Sequence, residues 1–305
     1  MAKQFIGLRV KSSVSLEEYI SKNIPNHNIP TDMQLSRVIG VILIHFLCIF
    51  SIFYVTRNSI LISIIMFILS GGFGINIGYH RFLSHRSFKT SRVMQFILGL
   101  LGVLAMQCGP ITWVGLHRLH HRETDQELDP HSPRVSLLWA HFLWTFFPHP
   151  MASTYEDRSR YAKDLVCFPE LVFLEKNFLI INIGFLAILL ASGYLLDGWH
   201  EAISYFTCAG CLRILLIWHL TFIVNSVNHK WGYRNYDTSD DSKNNLMISL
   251  LVFFGEGWHN NHHAEPRSAM HGHRWFEFDL AYYLILILQK LNLVRSVRLP
   301  KRARI

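Results

Sequence analysis

Charge is scarce in this chain. Of 305 residues only 16% are Asp, Glu, Lys or Arg, against roughly 25% in an ordinary soluble domain. Half of the sequence is hydrophobic and the mean hydropathy is +0.23, more apolar surface than one soluble core hides. Cysteine is scarce too. Cys48, Cys108, Cys167, Cys208 and Cys211 are odd in number and lie mostly in apolar stretches, which excludes a disulfide framework. The lone CxxC of Cys208 and Cys211 reads as small residues on a membrane helix. No short apolar core with a cleavage site opens the chain, so no signal peptide is read. Repeats, low-complexity tracts and linkers are missing as well, and 1–305 reads as one domain.

Acidic residues are in the minority: 29 Lys and Arg against 21 Asp and Glu, for a net charge of +8. The basic residues sit mostly between and after the apolar runs. That placement points to anionic lipid headgroups and acidic protein partners, not to nucleic acid.

What the chain has is long apolar runs, at about 38–55, 60–78, 178–196 and 204–227, each close to the ~20 residues that cross a bilayer. The short breaks at 56–58 and 197–201 make two helical hairpins. Between the runs of each hairpin only Arg57 is basic, so positive-inside counting puts both termini in the cytoplasm. The expected fold is all-α: four transmembrane helices under a helical cytoplasmic cap built from 79–177 and 228–305. A fifth apolar run, 94–109, is short and broken by glycines, and is expected as an interfacial or re-entrant helix.

The chain also has 18 histidines, half of them grouped. His80 and His85 form HxxxxH, His117, His120 and His121 form HxxHH, and His259, His262 and His263 form HxxHH again. His229 closes the last apolar run. Positions i, i+3 and i+4 share a helical face, so each HxxHH is expected to present three imidazoles to one point. His80 and His85 lie about 140° apart on an α-helix, which suits two different metals or a distorted helix end. Under the four-span topology all nine meet at the cytoplasmic face. Imidazole suits Zn, Cu, Fe and Ni. A structural zinc takes four ligands, whereas nine nitrogens serve two metals, and such a redox-capable pair suits oxygen activation. Carboxylates are expected to orient the rings, with Asp129 and Glu256 as candidates beside Glu123, Asp125 and Asp241. His27, His45, His131, His141, His149, His200, His219, His271 and His273 are read as ordinary structural or surface histidines. His131 is noted for its place near the second box, and His219 as a bond to a neighbouring helix.

At these boxes the sequence resembles the membrane-bound fatty acyl desaturases, in their Δ9 (stearoyl-type) branch and closest to its bacterial members. The resemblance runs over about 38–280 and rests on GYHRFLSHRSFK, HRLHHRETDQELDPHSP, VNSVNHKWGYRNYDT and FGEGWHNNHHAEPRSA. It implies two irons held by His80, His85, His117, His120, His121, His229, His259, His262 and His263, with Asn225 approaching one metal through water. It implies O2-dependent removal of two hydrogens from an acyl-CoA or acyl-lipid chain in a bacterial inner membrane. No HPGG haem motif occurs, so electrons are expected from a separate ferredoxin, or from cytochrome b5 with its reductase. Animal acyl-CoA enzymes carry an Arg-Asp pair before the second box, where this chain has Gly115 and Leu116, though Arg134 remains as a basic residue. A bent apolar tunnel is expected to hold the chain, with Trp113, Trp139, Trp144, Phe146, Phe147, Trp218 and Trp258 as candidate linings. The rival readings are a membrane hydroxylase with related boxes, a metal transporter and a scaffold with a structural metal.

Overall fold

The computed structural model describes residues 33–301. Expectations for the first 32 residues, His27 among them, and for 302–305 fall outside the described part.

Two apolar helices open it. α1 (Leu35–Tyr54) and α2 (Arg57–Ser84) are both long and apolar enough to cross a membrane. Thr56 separates them in extended conformation and starts α2 with a reciprocal cap: its hydroxyl accepts from the Ser59 amide at 3.1 Å, and Ser59 Oγ accepts from the Thr56 amide at 3.0 Å. Such a cap satisfies amides that have no partner inside the helix. From Ile68 to Ser84 α2 widens into a π-helix.

The third apolar stretch, α8 (Phe178–Val227), is a single run of 50 residues, broken only at Asp197 and Gly198. Gly198 takes φ +66°, a conformation that favours glycine. Past the break the chain doubles back. A Cβ on Gly193 would lie 2.7 Å from Ala202 Cα, and one on Gly210 would lie 2.7 Å from Leu186. The sequence predicted a five-residue loop at 197–201, but helix resumes at once after Gly198.

The fifth apolar run becomes α3 (Arg92–Val103), capped by Ser91. Its 12 residues span about 18 Å, well short of a ~30 Å hydrocarbon core. It lies against α2 so closely that a Cβ on Gly74 would sit 2.4 Å from the Leu101 carbonyl carbon. Further helices include α4 (Pro110–Glu123), α5 (Leu137–His141), α6 (Tyr155–Tyr161), α7 (Pro169–Lys176), α9 (Leu246–Val252), α10 (His259–Ala264) and α11 (Leu280–Lys290), with single turns at Leu143–Phe146 and Lys163–Val166. A two-residue pair, Lys89–Thr90 with Val294–Arg295, is antiparallel and ties the chain's end to the segment after α2.

One apolar core joins the end of α2 to α3, α4 and α7 through Tyr79, Leu83, Val103, Ile111, Leu171 and Leu174. It fixes α4 beside the first histidine box. Large apolar side chains remain exposed on the outward faces of α1, α2 and α8, among them Ile42, Phe46, Leu61, Ile64, Ile180 and Leu195. Aliphatic surface of that extent demands an apolar surround. Arg213, inside α8, is fully buried and bonds the carbonyls of Ala209 and Leu104 and the Ser70 hydroxyl. His219 bonds His45 at 3.3 Å and His141 at 2.9 Å, a link between helices as the sequence suggested.

Candidate metal centre

The first box sits in the π-helical end of α2. The His85 amide donates to the His80 carbonyl at 3.2 Å, and Ser84 Oγ donates to the Tyr79 carbonyl at 2.8 Å. Bonds of this i→i+5 kind stack residues five apart on adjacent turns. His80 and His85 therefore turn to the same side, with ring centroids 5.0 Å apart. Of the two arrangements open at the sequence level, the distorted helix end is the one adopted.

Nine imidazoles gather in two groups. His80, His85, His117, His121 and His262 form the first; His120, His229, His259 and His263 form the second, and within each group the ligand atoms lie within 4.8 Å of one another. Each HxxHH box is split between them, a correction to the expectation of three rings on one point. On an α-helix i and i+4 stand about 40° apart, whereas i+3 lies about 60° to the other side of i. His117 and His121 accordingly serve one group and His120 the other, while His259 and His263 serve one and His262 the other.

The nitrogens are spaced as ligands of one ion are. In the first group His85 and His117 approach at 2.7 Å, His80 and His262 at 3.1 Å, and His262 and His121 at 2.9 Å, all Nε2 to Nε2. In the second, His259 lies 3.0 Å from His229 and 3.1 Å from His263. Metal–imidazole bonds of about 2.05 Å place neighbouring nitrogens about 2.9 to 3.3 Å apart. Two metal ions fit this donor set.

Carboxylates fix four of the rings from behind. His80 Nδ1 meets Glu256 at 2.8 Å, His120 Nδ1 meets Asp129 at 2.9 Å, His229 Nδ1 meets Asp125 at 3.0 Å and His263 Nδ1 meets Asp240 at 3.2 Å. An Nδ1 that donates to a carboxylate leaves Nε2 as a lone pair aimed at the group. Burial alone would raise all four carboxyls, but the imidazole behind each holds it below the usual carboxylate range, with Arg81 adding to the effect at Glu256. Burial, and then the neighbouring imidazoles, push His85, His117, His121, His259 and His262 well down and so keep them neutral. His263 is pushed down to about 4, chiefly by burial. At His120 burial is outweighed by Asp129, and the ring is raised.

The sequence singled out Asp125, Asp129 and Glu256 among these acids but passed over Asp240. Of its other candidates, Glu123 pairs outward with Arg122 and Asp241 with Arg134; neither bonds a ring. Asp241 lies one residue beyond the acid that does, a placement set by the turn at 238–242. Arg134 is accordingly held in an ion pair.

Two arginines inside the boxes clamp them together. Arg118 donates to the Leu83 and Ser84 carbonyls at 2.7 and 3.0 Å and to Asp164, which joins α4 to the end of α2. Arg81 is wholly buried. It donates to the Phe254 carbonyl at 3.0 Å, to Asp279 at 3.1 Å and to His271 Nδ1 at 2.9 Å, and so joins the first box to the third. Glu175 accepts from the amides of Ile111 and Thr112 and caps α4, where a carboxylate complements the positive end of the helix. His271 and His131, given only structural roles at the sequence level, both border the groups. His271 packs 4.6 Å from His262, and His131 packs 4.2 Å from His120. The only sequence signal for the arginines is their position immediately after a box histidine.

An apolar cavity runs from between α2 and α8 to the histidines. Phe67, Gly71, Ile75, Ile217, Leu220 and Val252 form much of its wall, and His80, His117, His259 and Asn225 stand at its inner end. Behind the wall, Gln107 donates to Thr221 at 2.8 Å and accepts from Trp113 at 3.0 Å, which engages two of the polar groups that line it. Of the aromatic linings expected, only Trp113 faces this cavity. Trp258 and Trp218 spend their N–H on the carbonyls of Phe278 and Ala105, and Trp139 packs on Phe147. The rest of the wall comes from Phe67, Phe254 and aliphatic residues, most of them on α2 and α8, whose pattern is that of any membrane helix. Gly115 is required by packing, since a Cβ there would lie 2.5 Å from the Arg158 carbonyl oxygen. The five cysteines are all free.

Comparison with known proteins matches residues 58–288 to the family model described as fatty acid desaturase. An sn-2 palmitoyl-lipid 9-desaturase of Nostoc sp. (strain 36) is 40% identical over 254 residues, covering 83% of this chain and 86% of that protein. An sn-1 stearoyl-lipid 9-desaturase of Anabaena variabilis is 41% identical, covering 79% and 84%. An acyl-CoA C20 Delta5-desaturase of Anemone leveillei is 37% identical, covering 84% and 79%.

Proposed function

The chain belongs to the fatty acid desaturase family, and from that premise we propose that it places a cis double bond at position 9 of a saturated acyl chain carried by a membrane lipid. The observation that carries the reading is one apolar cavity that ends on both histidine groups. The lipid-linked substrate follows the two cyanobacterial relatives and the loss of the Arg-Asp pair at Gly115 and Leu116. An acyl-CoA substrate is the second reading, favoured by the Anemone relative.

In this reading His80, His85, His117, His121 and His262 hold one iron; His120, His229, His259 and His263 hold the other, which Asn225 approaches through water. The iron pair supplies the oxidising power that an unactivated methylene requires. O2 is the oxidant, and a ferredoxin, or cytochrome b5 with its reductase, brings two electrons. The chain's own residues do the positioning. Phe67, Ile75, Ile217 and Val252 exclude water and confine an extended chain, so that one methylene pair rests at His80, His117 and His259. Asp125, Asp129, Asp240 and Glu256 keep four rings in the tautomer that points Nε2 inward.

The topology proposed is four spans: α1, α2 and the two limbs of α8, with the boxes and both chain ends on the cytoplasmic side. It is supported by the reversal at Gly198, by the exposed apolar faces and by the sparse basic residues at both hairpin tips.

The test is fatty acid analysis by gas chromatography–mass spectrometry in a host that lacks a Δ9 desaturase. New chains unsaturated at position 9, first on glycerolipids, are expected. Hydroxylated chains in their place would move the assignment to the hydroxylase reading. Unchanged lipids with the iron-loaded protein and a working donor present would overturn it.

A further inference from the structure

A second cavity reaches the same centre from another direction, and its lining is polar. Asp237, Thr238, Ser239 and Asp240 form one side, Ala264 and Pro266 the other, with His121 and His263 at the bottom. The two cavities divide the box helices. His117 and His259, the first histidine of each HxxHH, border the apolar cavity; His121 and His263, the last of each and one turn further on, border the polar one. The middle members, His120 and His262, are almost wholly buried between them. His121 and His263 belong to different groups, and their rings stack at 4.6 Å with an interplanar angle of 26°. The polar cavity thus ends on the seam between the two groups.

Desaturation needs such a route. The reaction R–CH2–CH2–R′ + O2 + 2e⁻ + 2H⁺ → R–CH=CH–R′ + 2H2O breaks two C–H bonds and the O–O bond. It forms one C=C π bond and four O–H bonds. The acyl chain and the donor each give two electrons, so two protons must arrive from water and two water molecules must leave. The apolar cavity cannot carry them while an acyl chain fills it, because protons and water require polar partners along the way.

We propose that the polar cavity bounded by Asp237, Ser239 and Ala264 is the proton entry and water exit of the centre, separate from the acyl chain's path. The stoichiometry rests on the desaturase reading; the two-cavity geometry does not. Asp237 stands at the exposed end of the route, and no partner bonds its carboxyl among the described residues. Asp240 stands within it, bonded to His263 and to Ser242.

Two plugging variants test this, Ser239→Trp and Ala264→Phe, one from each side of the cavity, so that a folding failure in one leaves the other. The full chain in lipid nanodiscs is loaded with Mn2+, and the relaxation rate of bulk water protons is read. The expected result is strong enhancement by the parent and a clear loss in both variants at equal Mn2+ content. In iron-loaded protein, with a small chemical reductant replacing the protein donor, turnover is expected to fall about tenfold or more, with more O2 consumed per double bond. Unchanged water relaxation and unchanged turnover in a folded, metal-loaded variant would overturn the proposal. If the parent relaxes water and the variants do not, yet the iron-loaded parent forms no double bond, the desaturase reading fails and the water route stands.

Discussion

The amide of His85 donates to the carbonyl of His80 across five residues, and the two rings turn to one side as a result. The π-turn, and not an α-helix, brings both rings of HxxxxH into one histidine group.

Deleting Leu83 shortens that turn by one residue and swings His85 about 100° away from His80. The expected outcome is loss of one of the two metals with the second group intact. Metal content by mass spectrometry, against the parent chain, checks it.

His120 is the one member of the second group supplied by α4. His120→Ala is expected to abolish desaturation while the chain still accumulates in membranes. Retained product would remove His120 from the ligand set.

The carboxylates behind the rings divide into those that touch imidazole and those that do not. Asp129→Asn and Glu256→Gln are each expected to weaken metal binding about 10- to 100-fold. Asp241→Asn and Glu123→Gln, whose acids face arginines, are expected to change it little. Retention of iron against a graded chelator compares all four.

Gly71 lines the apolar cavity, and a Cβ there would already stand 3.4 Å from Ile217. Gly71→Leu fills that space, so product chains are expected to become shorter, with longer substrates losing about tenfold or more in turnover. The distribution of chain lengths among monounsaturated products is the measurement.

Much of the centre was legible because its signal is local. Three boxes and His229 name all nine gathered imidazoles, since a cluster of histidines stands out in the sequence wherever the backbone puts it. How they are shared was not legible. Splitting HxxHH between two groups depends on helix phase, and the pairing of His80 with His85 depends on a π-turn that glycine-rich α2 adopts through packing against α3. Arg81 and Arg118 went unread because a clamp is defined by carbonyls distant in sequence, at Phe254 for one and at Leu83 and Ser84 for the other. Asp240 lost to Asp241 by one residue, the resolution at which a turn defeats a spacing argument. The cavity wall was misread because tryptophans near the boxes draw attention, whereas Phe67, Phe254, a glycine and aliphatic side chains line most of it.

The four carboxylates behind the rings carry a further consequence. Asp125, Asp129, Asp240 and Glu256 are all held ionised inside the protein, while Arg81 is matched by Asp279. Two divalent ions would bring four positive charges, enough to balance these four carboxylates. Without them those charges rest on the four imidazoles and on Arg81 alone, a weaker match inside a protein. Bound there, the ions would tie α2, α4 and α10 together, so stripping them is expected to loosen this face of the chain as well as to stop the reaction.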